Sequence, residues 1–446
     1  MGFKISVVSL GCSKNLIDSE IMLGLLENNG YEIVESLEDS EIILINTCGF
    51  INDAKEESIE TIIEAGEYKK HGKCKYIIVA GCLSERYKEE LLKELPEIDG
   101  LIGTGNIHEI LDVLEKVTRQ GGCVKFGNIN EPYKDELPRV ITTPAYTAYI
   151  KIAEGCNNFC TYCIIPKLRG KYRSRSIESI VNEVTELVSK GTKEIILIAQ
   201  DTTKYGIDIY GESKLPKLLD ELNKIKGLKW IRTLYMYPDS FSESLIESIK
   251  RNDKVVNYVD IPIQHINDQI LKRMNRKTNK KQIVSLIKKL RKEIPNIIIR
   301  TTLIVGFPGE TESDFEELYK FVEDTKFDRL GAFIYSKEEG TAAAKLKNQV
   351  EQDKKEERQR KILELQQDIS WKKNRQKVGK KYQVLIEEKI PNEELYIGRS
   401  YMDTPEIDGI VYVRSNKKLS EGDFIEVKIT DYLEYDLVGE ICNELG

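Results

Sequence analysis

Over roughly the first 345 residues this chain alternates short β-rich apolar runs with helical patterns, and that alternation confines it to parallel-sheet architectures. FKISVVSL, EIILIN and KYIIVA are bounded by Gly, Asn and Thr, with patterns such as Asp18 to Asn28 and Asp53 to Tyr68 between them. Strands joined through helices need right-handed crossovers, so residues 1–140 are expected to form an open parallel-sheet α/β domain. Phe126 to Pro144, with its Pro and charged residues, reads as a linker. From Ala145 to about Lys345 the runs TAYIKIA, EIILIA, WIRTLYM, YVDIPI, IIIRTTLIV and RLGAFIY repeat the pattern. They predict a partial (β/α)6 barrel, short of the usual eight strands, with ligands at the carboxyl ends of its strands. Gln349 to Lys377 is highly charged and free of Gly and Pro, as a long connecting helix would be. KYQVLIEE, LYIGRS, IVYVR, FIEVKITD and YDLVGEI then predict a small antiparallel β-barrel with turns at Asp408-Gly409 and Glu421-Gly422-Asp423. The expected class is α/β, with domains over 1–140, 141–376 and 377–446.

The cysteines fall onto this frame in two groups. Gly155-Cys156-Asn157-Asn158-Phe159-Cys160-Thr161-Tyr162-Cys163 follows the first strand of the central domain. Three thiolates at this spacing can wrap one loop around three irons of a four-iron cluster, and no fourth cysteine follows nearby to cap the last iron. A structural zinc would want a closed four-ligand shell, and His71, His108 and His265 are all distant in sequence. The second group is dispersed: Cys12 follows FKISVVSLG, Cys48 follows EIILINT and Cys82 follows KYIIVAG. Each ends a predicted parallel strand, and strand carboxyl ends share the ligand edge of an open sheet. These three are therefore expected to converge as a second metal site. Cys74, Cys123 and Cys442 lack such placement and read as ordinary thiols, and the three histidines have no partner pattern. Nine cysteines without an export signal favour metal or redox use over disulfides.

The cysteine run closely resembles the signature of the radical S-adenosylmethionine enzymes. With the Cys12, Cys48, Cys82 set and the small C-terminal barrel, essentially the whole chain resembles their methylthiotransferase family, whose C-terminal module is the substrate-binding TRAM domain. The resemblance implies two 4Fe-4S clusters and S-adenosylmethionine as both methyl donor and radical source. The Cys156, Cys160, Cys163 cluster would generate a 5′-deoxyadenosyl radical, and the Cys12, Cys48, Cys82 cluster would carry the sulfur to be inserted. It implies further cofactor contacts from Tyr162, which matches the position against the adenine, from Gln200 and Asp201 after EIILIA, and from Arg300. Gly306 and Gly309 serve equally as turn glycines, and Arg300 equally as an internal salt-bridge partner. An external electron donor and a sulfur donor are implied partners.

The family divides by acceptor, an adenosine near the tRNA anticodon or a protein side chain. Gly11-Cys12-Ser13-Lys14-Asn15-Leu16-Ile17-Asp18-Ser19-Glu20 resembles the form GC-x-KN-x-x-DSE of the branch that modifies the β-carbon of an aspartate in small-subunit ribosomal protein S-twelve. YIKIAEGCNNFCTYCIIPKLRGKYRSR resembles that branch as well. Charge points the same way without any resemblance. From Val378 to Gly446 the chain has 15 Asp plus Glu against 8 Lys plus Arg, a net −7 that equals the charge of the whole chain. An RNA-binding module should be basic, and an acidic one suits a basic ribosomal protein. Lys167, Arg169, Lys171, Arg173 and Arg175 point the other way, toward nucleic acid, the target carboxylate, or a salt-bridge network at the start of a helix. The tRNA acceptor is the alternative. No run approaches the ~18 apolar residues of a membrane span, and the N-terminus lacks a signal-peptide layout, so a cytoplasmic, monomeric enzyme is expected.

Overall fold

The computed structural model describes residues 3–135 and 137–442. Six parallel strands form the N-terminal sheet in the order β2-β1-β3-β4-β5-β6, from β1 (Lys4–Ser9), β2 (Glu32–Ile33), β3 (Ile42–Thr47), β4 (Tyr76–Gly81), β5 (Gly100–Ile102) and β6 (Cys123–Lys125). Every residue of β3 and nearly all of β4 are buried, because helices cover both faces. That double burial is why these strands read as continuous apolar runs.

The six apolar runs of the central domain are all strands: β7 (Thr147–Lys151), β10 (Glu194–Ile198), β11 (Trp230–Thr233), β12 (Tyr258–Asp260), β13 (Ile298–Val305) and β14 (Arg329–Ile334), with the two-residue β8 (Ala153–Glu154) and β9 (Arg173–Ser174) paired beside β7. Two parallel three-stranded sheets, β7-β10-β11 and β12-β13-β14, meet through a parallel bridge between Ile231 and Val255. Among the described residues no ladder joins β14 back to β7. The exposed edge of β14 is covered by the helix Gln352–Arg375, where Gln359 donates to the Ala332 carbonyl (2.8 Å) and Gln366 to that of Phe327 (3.1 Å).

The C-terminal strands β15 (Lys381–Lys389), β16 (Leu395–Ser400), β17 (Val411–Arg414), β18 (Phe424–Tyr432) and β19 (Leu437–Ile441) close in the order β15-β16-β17-β19-β18. The expectation of a wholly antiparallel barrel needs one correction, because β17 and β19 run parallel. Strand directions can alternate around a closed ring only if the number is even. Five strands therefore force one parallel pair.

This small barrel seats against the amino ends of the central strands. Glu194, at the start of β10, is fully buried between Arg232 (3.1 Å) and Arg399 of the C-terminal barrel (2.6 Å). Arg329 at the start of β14 pairs with Asp403, Tyr258 at the start of β12 donates to Asp408 (2.7 Å), and Trp230 packs edge-on against Phe424. Buried ions are retained only when partnered in this way. Of the acidic charge noted in the sequence, Asp403 and Asp408 are used internally in this way, while most of the rest stays exposed.

The described residues of 126–146 form no helix or strand, yet the segment is not a free spacer. Arg139 pairs with Glu20 of the N-terminal domain (2.5 Å) and Glu183 of the central one (2.7 Å), and the Val140 amide donates to the Glu20 carbonyl (3.0 Å). The linker clamps the first two domains together.

Candidate active site

Backbone geometry places the cysteines. Gly81 has φ of +95° and delivers the chain from the end of β4 into Cys82, the first residue of the helix Cys82–Tyr87. Gly155, at φ +78°, does the same for Cys156. Left-handed φ is open to glycine and strained for side chains, and a Cβ at Gly81 would also collide with Asn46 Oδ1 and the Thr47 carbonyl. Gly81→Ala should cost about 1–3 kcal/mol of stability and displace Cys82. Thermal melting of the metal-free protein together with iron content checks both parts.

Cys12, Cys48, Cys82, Cys156, Cys160 and Cys163 all line one cavity of about 430 Å³ between the N-terminal domain and the carboxyl ends of the central strands. Two sets of thiols lying 74 or more positions apart in the chain therefore face each other across a shared space. Burial pushes the Cys82 thiol up to about 12 and the Cys156 thiol to about 11, and it raises Cys48 and Cys163 as well. Bare thiols so disposed stay protonated; soft metal ions displace such protons. Among the described residues no three His, Cys, Asp or Glu side chains close on a single-ion shell. Three thiols spread around a roomy wall suit a polynuclear iron–sulfur centre better than one zinc ion.

The remaining walls are mostly apolar and aromatic, with Phe50, Ile165, Leu234, Pro262 and Phe333 among them, and their charged side chains are mostly cations. Lys14, Arg169, Arg276 and Arg300 line the cavity against a single carboxylate, Asp260. Lys14 lies 3.0 Å above the Tyr235 ring, and Arg276 stacks 3.7 Å from that of Tyr237, whose hydroxyl lies 3.2 Å from Cys160 Sγ. Gln200 donates from Nε2 to Glu154 (2.9 Å), leaving its Oε1 buried without a partner, and Gln264 Oε1 is orphaned in the same way. Two unsatisfied acceptors in a cavity wall match a ligand that brings N–H donors. Tyr162 is half-buried, packs with Phe307 and Met274, and lines the cavity.

Arg300 also lines it, and its guanidinium is held by Asp260 (3.0 Å) and Asp408 (3.5 Å), so the internal salt bridge is present alongside the cavity position. Asp201 departs from the expected contact. Its carboxylate accepts from Asn158 (2.9 Å) and Thr203 (2.6 Å), so it braces the cysteine loop from behind and is not part of the cavity wall. Gly306 packs against the Lys355 side chain and Gly309 against Arg273, which makes both structural turn residues.

The basic run after the cysteines is mostly a salt-bridge network. Arg169 is buried between Asp18 (2.9 Å) and Glu154 (3.0 Å) and donates to Asn15 Oδ1 (2.5 Å), and Arg175 pairs with Glu183 and Asp135. Burial opposes the charge on Arg169, but the carboxylates of Glu154 and Asp18 outweigh it and keep the guanidinium charged. Lys151 pairs with both Asp18 and Glu154. The KN-x-x-DSE residues are accordingly buried in the joint between domains: Asn15 donates to the Leu10 and Thr47 carbonyls (2.9 and 3.0 Å) and accepts from the Cys82 thiol (3.8 Å). Glu154, Tyr235, Tyr237 and Arg276 were not singled out from the sequence. Tyr237 and Arg276 act through contacts over 39 or more positions, which no local pattern carries.

Comparison with known proteins agrees with this layout. The radical SAM superfamily model matches residues 150–322, that of the uncharacterized protein family UPF0004 residues 4–103, and the TRAM domain residues 378–442. The chain is 56% identical over 98% of its length to the ribosomal protein uS12 methylthiotransferase RimO of Thermoanaerobacter sp. (strain X514), covering 99% of that protein. It is 52% identical over 99% of its length to the RimO of Clostridioides difficile (strain 630), covering 100% of it. In fold it is similar to the radical S-adenosylmethionine methyltransferase TsrM from Kitasatospora setae (TM-score 0.56, 14% identity, 75% of this chain and 72% of that one). It is likewise similar to the cobalamin-dependent enzyme OxsB (TM-score 0.54, 15% identity, 81% and 56%).

Proposed function

Because the chain belongs to the RimO family of ribosomal protein uS12 methylthiotransferases, we propose that it replaces a hydrogen on the β-carbon of an aspartate of uS12, the S-twelve protein, by a methylthio group. The single observation that carries the reading is that six cysteines in two sets line one cavity. We assign Cys156, Cys160 and Cys163 to one iron–sulfur cluster and Cys12, Cys48 and Cys82 to a second. Loaded with these clusters and S-adenosylmethionine, the site would supply one-electron sulfonium cleavage and transferable sulfur.

The chain's own residues do the positioning. Gln200 and Gln264 offer their free carbonyl oxygens to the amino group of S-adenosylmethionine, and Tyr162 offers its ring to the adenine. Asp201 holds the cysteine loop in register through Asn158. The excess of cations over carboxylates suits thiolate-bound clusters, which are anionic, and an aspartate side chain, which a neutral adenosine would not match. Thr404 and Ile407 reach the cavity from the C-terminal barrel and complete its wall against water. No helix among the described residues is long and apolar enough to cross a membrane.

The test is direct. Reconstituted protein incubated with uS12, S-adenosylmethionine, sulfide and a reductant should raise the mass of one aspartate-bearing uS12 peptide by the exchange of hydrogen for SCH3. An unchanged ribosomal protein, with methylthio groups appearing on tRNA nucleosides instead, would overturn the proposal.

A further inference from the structure

The loop that carries Cys156, Cys160 and Cys163 reaches the surface at Asn157 and at Phe159, its one exposed aromatic side chain, which is 58% exposed and held at φ +53°. Two basic segments grip this loop from outside. From the first, Asn275 donates to the Phe159 carbonyl (2.9 Å), Thr161 donates to the carbonyls of Arg273 (2.8 Å) and Met274 (3.1 Å), and Lys272 and Lys277 are exposed beside them. From the second, the Ala343 amide donates to the Thr161 carbonyl (2.8 Å), with Lys345 exposed two residues on.

Between Leu271 and Lys281 the chain has six basic residues and no acidic one. Among the described residues Lys272, Arg273, Lys277 and Lys345 have no carboxylate within 4.0 Å. Unneutralised cations on two neighbouring segments of a chain of net charge −7 are a local feature and not a reflection of composition.

We propose that this face docks an acidic electron-transfer protein carrying a flavin or iron–sulfur centre, with the carrier's acidic rim on Lys272, Arg273, Lys277 and Lys345 and its apolar centre on Phe159. One electron leaves the reduced carrier, which is oxidised by one electron, and passes to the centre held by Cys156, Cys160 and Cys163, with no bond made or broken in the transfer. The inference rests on the assignment of those cysteines to a redox cluster. A nucleic acid is the other polyanion that could be attracted, but the cations lie on the two segments hydrogen-bonded to the redox loop, where an electron carrier needs to be and an RNA does not.

The test uses the reconstituted holoenzyme and FMN-loaded flavodoxin as the probe. The variant K272E/K277E/K345E should bind flavodoxin about tenfold or more weakly at low ionic strength and lose flavodoxin-driven cleavage of S-adenosylmethionine to the same degree. Its dithionite-driven cleavage should match wild type. The difference in binding should collapse at about 0.5 M salt, where the screening length falls to a few ångströms. K226E/K229E, which changes exposed lysines elsewhere, should behave as wild type. Equal flavodoxin affinity in the triple variant overturns the proposal, and so does a loss of ribosomal RNA binding with flavodoxin binding retained. Should dithionite-driven cleavage also fall, the single variants Lys272→Gln and Lys277→Gln carry the same comparison. Wild-type protein that cleaves S-adenosylmethionine with flavodoxin but never modifies uS12 would remove the proposed substrate and leave the docking surface standing.

Discussion

Replacing Cys82 by serine should abolish methylthiolation of uS12 while reductive cleavage of S-adenosylmethionine continues, whereas replacing Cys160 should abolish both. The two thiols share a cavity but sit in different sets, one at the end of β4 and one in the loop after β8. Iron content should fall from about eight to about four per chain in either variant, because each set holds one four-iron cluster. The split in activity is the decisive readout. Uncoupled production of 5′-deoxyadenosine by the Cys82 variant, with unmodified uS12 by mass spectrometry, separates the sulfur-carrying set from the radical-generating one. If the Cys82 variant still methylthiolates uS12, or if the Cys160 variant still cleaves S-adenosylmethionine, the assignment of the two sets is wrong.

The second large effect concerns stability. Arg169→Met should destabilise the metal-free protein by about 3–5 kcal/mol, because it leaves Asp18 and Glu154 buried without their guanidinium partner and Lys151 to serve both. Arg169→Lys should rescue little of it. A single ammonium cannot reproduce the fork that reaches Asp18, Glu154 and Asn15 together. Urea denaturation of the metal-free chain measures the loss. The joint between the N-terminal and central domains should open first, read as earlier proteolysis within 126–146. A variant as stable as wild type would mean that the network contributes no net stability.

Local sequence carried much of this architecture. Each of the six central apolar runs is a strand, and the dispersed Cys12, Cys48 and Cys82 line one cavity, because parallel strands must begin at one edge and end at the other. What stayed open in the sequence shares one cause. The run from Lys167 to Arg175 was compatible with a polyanion, the target carboxylate or a salt-bridge network, and the network is what forms, through Asp18 and Glu183, 151 and 8 positions from Arg169 and Arg175. Asp201 sits at the expected strand end but faces Asn158, and a side chain's direction is not encoded in its position alone. The KN-x-x-DSE residues pointed to the right branch of the family, and the structure adds that they are buried in a domain joint.

By itself the sequence determined the alternation of strands and helices, the spacing of three thiols in one loop, and the placing of three more at strand ends, since each depends on short-range geometry with a fixed period. Tertiary structure alone decided that the two sets of thiols face one another, that cations outnumber carboxylates around them, and that the acidic module seats on the amino ends of the barrel through Glu194 and Arg399. Those outcomes depend on charge pairing and burial between residues far apart in the chain. The energy of such pairs is set by who the partner is and how much water is excluded, and no local pattern holds either.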